Sequence, residues 1–86
     1  MSEDSKAEAC SELVRRLWEE TFARQGISRG DNFFELGGHS LTALTLSGRL
    51  GYLLDIEVPL QVIFDNLVLA DYSEAVRRLI PDSGAP

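Results

Sequence analysis

The sequence predicts an all-α fold: a small irregular four-helix bundle with a long loop between helices one and two and a short third helix. Three observations carry that prediction. Apolar residues recur in steps of three and four along three separate segments, the spacing of one buried helix face. The periodicity vanishes between Ile27 and His39, where turn formers alternate with large apolar residues. A proline then restarts the chain at Val58-Pro59-Leu60, ahead of a segment too short for a full helix. Eighty-six residues make a single domain, 1–86, with an ordered core at about residues 6–80 and frayed polar ends.

Ser5-Lys6-Ala7-Glu8 is an S-x-x-E capping box and starts the first helix. Cys10, Leu13, Val14, Leu17, Trp18, Thr21 and Phe22 form its apolar stripe, opposite Glu12, Arg15, Arg16, Glu19 and Glu20. Gly26 is its stop signal. In the loop, Gly30-Asp31-Asn32 and Gly37-Gly38 are turn material. Ile27, Phe33, Phe34 and Leu36 are large and apolar, so the loop is expected to be pinned along the bundle with both phenylalanines in the core.

The second helix runs from near Ser40 to about Leu54. It buries Ala43, Leu46, Leu50 and Leu54, and Leu44 and Leu53 widen the stripe. Gly48 and Gly51 weaken it by about 1 kcal/mol each relative to alanine. Close approach of another helix, or of a partner, would explain glycine there. Pro59 suits the first turn of the short third helix, which uses Leu60, Ile63 and Phe64. The last helix carries Leu69, Tyr72, Val76, Leu79 and Ile80 and stops at Pro81.

A net charge of −6 with eight dispersed basic residues argues against nucleic acid, whose phosphates require clustered Lys and Arg. An acidic surface favours basic patches on partners. No apolar run approaches the roughly 20 residues of a membrane span, and no signal-peptide pattern is present, so a cytoplasmic monomer is expected. The single Cys10 cannot form an internal disulfide and reads as a small apolar residue on a helix.

Ser40 is the residue that carries chemistry. Its plain structural reading is a helix N-cap, for which serine is favoured. Gly37 and Gly38 add to that reading, because two residues without Cβ atoms clear space for a large enzyme beside the hydroxyl. A helix N-terminus also presents unpaired N–H groups and a positive dipole end, which suit a phosphodiester. A catalytic serine would need a positioned base, and the adjacent His39 cannot readily align with it. A G-x-S-x-G elbow after a strand is absent, as is the G-K-[ST] of a phosphate loop. His39 reads as an exposed loop residue with a structural or partner-contact role, and a metal role lacks a second ligand.

The stretch Asp31-Asn32-Phe33-Phe34-Glu35-Leu36-Gly37-Gly38-His39-Ser40-Leu41 resembles the attachment motif D-x-F-F-x-L-G-G-H-S-L of thiolation domains, the peptidyl carrier proteins of non-ribosomal peptide synthesis within the acyl-carrier-protein-like family. Asp55-Ile56-Glu57-Val58-Pro59-Leu60 with Ile63-Phe64 is similar to the segment leading into that family's third helix, so the resemblance spans residues 8 to 80. It implies a four-helix bundle with the modified serine at the start of helix two. It also implies a non-catalytic carrier: a phosphopantetheinyl transferase places 4′-phosphopantetheine from coenzyme A on Ser40, and the arm's thiol holds cargo as a thioester. An adenylation enzyme loads the cargo, and condensation or tailoring enzymes use it. The resemblance favours the peptidyl type over an acyl carrier of polyketide or fatty-acid synthesis. His39 stands where those carriers more often have aspartate, and the exposed face of helix two offers Thr42, Thr45 and Arg49 with no carboxylate before Asp55. His39, Leu41, Thr42, Thr45, Arg49 and Phe64 are the candidate partner contacts. A remote alternative is a helical interaction domain in which Ser40 only caps a helix.

Two positions depart from the family pattern. Asp55 replaces a usual glycine and implies a differently shaped turn after helix two. Asn66-Leu67-Val68 replaces a frequent Pro-Thr, leaving Asn66 as the candidate cap of the last helix. An initial methionine with a polar leader and tail favours a free-standing carrier over an excised module. Neither cargo nor pathway is readable.

Overall fold

A computed structural model describes the backbone of residues 3–81 and the side chains from residue 9 onward. Four helices follow one another: α1 (Glu3–Phe22), α2 (Ser40–Leu54), α3 (Gln61–Asp65) and α4 (Leu69–Leu79). α1 packs against α2 and α4, and α3 packs against α4. Among the described residues the only β pairing is an isolated antiparallel bridge between Asn32 and Val68.

α1 begins at Glu3, so Ser5 lies inside the helix and does not start it. The capping-box side chains lie outside the described residues, as do Met1, Ser2 and residues 82–86 of the predicted frayed ends, whereas Glu3 and Asp4 are helical. Cys10, Val14, Leu17 and Trp18 are buried, as the stripe requires. The helix stops at Phe22, earlier than the Gly26 signal. Ala23 turns left-handed at φ 53°. Arg24 N–H donates to Glu19 O at 3.0 Å and Ala23 N–H to Glu20 O at 3.2 Å, the two bonds of a Schellman end. Gly26 lies in the next turn, where its N–H and that of Ile27 donate to the Glu19 carboxylate at 3.0 and 3.3 Å.

The long loop is tied to the start of α4 through its backbone. Phe33 N–H donates to Leu67 O at 2.8 Å, Leu69 N–H to Asp31 O at 3.0 Å and Ala70 N–H to Arg29 O at 3.0 Å. The first amides of a helix lack intrahelical partners, and here loop carbonyls supply them. This corrects the expectation that Asn66 caps α4: its Nδ2 donates to Val62 O at 3.0 Å and closes α3 instead. The N-cap of α4 is Val68, with no side-chain bond. Ile27 and Phe33 are buried, but Phe34 is 50% exposed and is not in the core. The Asn32 carboxamide oxygen accepts Phe34 N–H at 2.8 Å and Glu35 N–H at 3.2 Å. This Asx turn accompanies the reversal that leaves Phe33 buried and Phe34 exposed, with their ring centroids still 6.0 Å apart.

α2 buries Ala43, Leu46, Ser47 and Leu50. Leu44 (61% exposed) and Leu53 (51%) face outward and do not widen the stripe. Gly51 is explained by neither another helix nor a partner. A Cβ there would lie 2.8 Å from the Ile56 carbonyl, because the chain folds back over the end of its own helix. Asp55 takes the left-handed conformation at φ 57°, ψ 44°, one that glycine adopts readily, so its presence does not demand a different turn. Pro59 O accepts Val62 N–H at 3.1 Å and opens α3, whose Ile63 is fully buried. In α4, Leu69, Tyr72 and Val76 are buried and Leu79 is half-exposed. Arg77 and Arg78 lie in its last turn, at the negative end of the helix dipole.

The left-handed Ala23 yields a direct prediction. A residue with a Cβ costs roughly 1–2 kcal/mol in that conformation, and glycine gives back roughly 0.4–1 kcal/mol through its more flexible unfolded chain. Ala23→Gly should therefore stabilise the fold by about 0.5 kcal/mol or more, read as a higher urea midpoint at unchanged slope. A lower midpoint would contradict the assigned helix end.

Candidate functional site: the serine at the head of helix two

The chain approaches Ser40 over the face of a buried ring. Phe33 is fully buried, with centroids 5.7 Å from Trp18 and 5.4 Å from Phe22, both edge-to-face. Gly38 N–H donates to Phe33 O at 2.9 Å, and Leu36 N–H to Asn32 O at 3.0 Å. A Cβ on Gly38 would come within 2.4 Å of the Phe33 ring, so only glycine lets the backbone lie on it. Gly37 contributes a positive φ of 101°. The two glycines thus serve the approach of the loop to the core.

Ser40 is the first residue of α2 and not its N-cap. The cap is His39, extended at φ −151°, ψ −172°, with no side-chain bond to the helix backbone. His39 O accepts Ala43 N–H at 2.9 Å. The Ser40 side chain is exposed and has no hydrogen-bond partner among the described residues. The N–H groups of Ser40, Leu41 and Thr42 likewise lack partners there, as expected for a first helical turn. His39 Nε2 lies 3.3 Å from Thr42 Oγ1, so the ring pairs within the first turn, and no base is bonded to the serine.

Leu41, Thr45 and Arg49 follow one another at steps of four along one face of α2, whereas Phe64 belongs to α3. His39, Leu41, Thr45 and Arg49 are exposed, and Thr42 is half-buried. Arg49 is ion-paired with Glu20 of α1 at 3.1 Å. Phe64 packs against the core, with its ring 6.2 Å from Phe34. The sequence reading missed Phe34, Leu44, Tyr52 and Leu53, which are all exposed. One signal was available for Leu44: it follows Ser40 by four residues and must share its face. No Asp or Glu occurs between Leu36 and Leu54.

An exposed hydroxyl without a partner, unpaired amides at a positive helix end and a first turn without an acidic residue fit a covalently held phosphodiester. Fold and site together define a small helical carrier that presents a serine at a helix start. The chain belongs to the phosphopantetheine attachment site family, whose model matches residues 12–76. Members of this family carry 4′-phosphopantetheine on a serine and hold tethered intermediates without catalysing their reactions. The chain is 35% identical over 65 residues to gramicidin S synthase 2 of Brevibacillus brevis, a match covering 76% of this chain and 2% of that protein. It thus spans a very small part of that relative. The fold is that of BlmI, a type-II acyl carrier protein of Streptomyces verticillus involved in bleomycin biosynthesis. There the TM-score is 0.86 at 24% identity, covering 92% of this chain and 95% of that one. A peptidyl carrier protein solved with the phosphopantetheine transferase Sfp and coenzyme A matches at TM-score 0.73 and 28% identity, covering 79% of this chain and 88% of that one.

Two predictions test this geometry. Gly38→Ala should destabilise the protein by about 1–3 kcal/mol through overpacking. Combined with Phe33→Leu it should cost less than the sum of the single changes, measured by denaturant unfolding in a double-mutant cycle. Strict additivity would show that the ring and the glycine do not meet. Because Ser40 caps nothing, Ser40→Ala should change stability by less than about 0.5 kcal/mol, where loss of a true N-cap would cost about 1 kcal/mol.

Proposed function

We propose that Ser40 is the attachment point of 4′-phosphopantetheine and that this single domain is a peptidyl carrier, holding an aminoacyl or peptidyl group in non-ribosomal peptide synthesis. The observation that carries the proposal is the Ser40 hydroxyl itself, exposed and unpartnered at the first position of α2. When bound, the group supplies a flexible arm ending in a thiol that holds cargo as a thioester. The protein's own part is positional. Phe33 and Gly38 hold the loop, His39 caps α2 through its carbonyl, and the unpaired amides of the first turn stabilise negative charge beside Ser40.

The partners follow from that role: a phosphopantetheinyl transferase, an adenylation enzyme, and condensation or tailoring enzymes. All are met by a cytoplasmic monomer through transient contacts at His39, Leu41, Thr42, Thr45, Arg49 and the edge of Phe64. The lack of carboxylates from Leu36 to Leu54 supports the peptidyl over the acyl branch, because it leaves no acidic stripe for a basic partner surface. No helix among the described residues is long and apolar enough to cross a membrane.

Intact-mass measurement after incubation with coenzyme A, magnesium and a broad-specificity transferase tests the proposal. One phosphopantetheinyl group should appear on the wild type and none on Ser40→Ala. Addition to both would move the site elsewhere, and addition to neither on folded protein would overturn it. Arg49→Glu should still end with one attached group per chain, because Ser40 is intact, and should slow cargo transfer to a partner. Its effect on stability should stay below about 1 kcal/mol, because the pair with Glu20 is solvent-exposed.

A further inference from the structure

Two buried positions carry a hydroxyl that packing does not ask for. Tyr72 of α4 is fully buried with its ring centroid 6.0 Å from that of Trp18, and phenylalanine would fill the same space. Ser47 of α2 is 6% exposed, where alanine is the better helix former. Neither hydroxyl has a hydrogen-bond partner. Buried polar groups are normally paired, because an unmade bond costs more than a made one usually contributes.

The two hydroxyls are neighbours inside the core. Burial pushes the Tyr72 phenol up to about 12, and the Ser47 hydroxyl beside it pulls the other way. A rotamer change at Ser47 or a small movement of α2 brings them into hydrogen-bond geometry. Their place in the bundle gives the pair a consequence. α1 packs against both α2 and α4, whereas α2 and α4 have little direct packing of their own. α4 is fastened to the loop, where Leu69 and Ala70 N–H donate to Asp31 and Arg29 O. Ser47 follows Ser40 by seven residues, which is two turns along one face and about 10 Å along the axis of α2.

We infer that the Tyr72 hydroxyl donates to Ser47 Oγ as a latch between α4 and α2, and that Tyr72 is thereby a positioning residue for Ser40. The latch sets the roll and height of α2 against α4, and with them the direction in which the serine leaves the bundle. It complements the loop, which holds the same helix from its N-terminal end through Phe33 and Gly38. The consequence for attachment rests on Ser40 being the attachment point, and the hydrogen bond itself does not.

The test compares wild type, Tyr72→Phe, Ser47→Ala and the double variant by denaturant unfolding, NMR and transferase kinetics. With the bond formed, each single variant leaves one buried oxygen alone and should raise the unfolding equilibrium constant roughly fivefold or more, while the double variant returns toward wild type. Hydroxyls that never pair would be relieved by removal, so single variants as stable as wild type or more so, with additive effects, would overturn the bond. In wild type the Tyr72 hydroxyl proton should give its own slowly exchanging signal with a cross-peak to the Ser47 β-protons, lost in Ser47→Ala. For position, the amide signals of Ser40 to Leu44 should shift in Tyr72→Phe. The transferase kcat should then fall at least about threefold with KM little changed, since misplacement acts on the reacting hydroxyl and not on the docking surface. Unshifted amides with an equal kcat would overturn the positioning role. Failure of the wild type to accept the group would remove the attachment reading alone, because the unfolding and NMR readouts do not depend on it.

Discussion

The burial of Phe33 is the interaction on which the rest of the site depends. Its ring stands edge-on to Trp18 and Phe22, inside a cluster that also joins Trp18 to Tyr72 of α4. Full burial of such a ring is worth about 1.5–3 kcal/mol, and each aromatic pair adds roughly 0.5–1.5 kcal/mol. Those terms offset the ordering of about two or three neighbouring loop residues, at about 1–2 kcal/mol each. From the ring the order passes to Gly38, which lies on it, then to His39 and Ser40.

Loop and last helix satisfy each other. The amides at the head of α4 need acceptors, and the carbonyls of Arg29 and Asp31 need donors. Their pairing replaces the side-chain cap that α4 lacks. A rigid support under a free hydroxyl is what a carrier needs, since the mobile part belongs to the arm. Several buried polar atoms, Trp18 Nε1, Thr21 Oγ1 and Ser73 Oγ among them, stay unpartnered inside this small core. Such atoms weaken a domain whose size already limits what it can bury.

Much of this was legible in the sequence. The stripes of α1, α2 and α4 and a helix start near Ser40 follow from spacing and turn chemistry, while the role of the serine came from the resemblance of its motif. What escaped had physical causes. Phe33 and Phe34 are chemically alike, and only the Asx turn at Asn32, a three-dimensional feature, separates buried from exposed. Leu44 and Leu53 are apolar on a helix face turned to solvent, which composition cannot distinguish from core. The left-handed ends at Ala23 and Asp55 use residues that carry no glycine signal. Ser40 was one position inside the helix it was expected to cap, a difference of one residue that decides whether its hydroxyl is occupied or free.

Amide hydrogen exchange measures the central claim most directly, at Phe33, Gly38, Leu69 and Ala70. If the anchored loop presents Ser40, these four amides exchange within about 1 kcal/mol of the slowest core amides of α1 and α4, although two of them lie in a loop. Exchange of Phe33 and Gly38 near the rate of an open chain would show the loop to be loosely held, and the account of how the serine is positioned would fail.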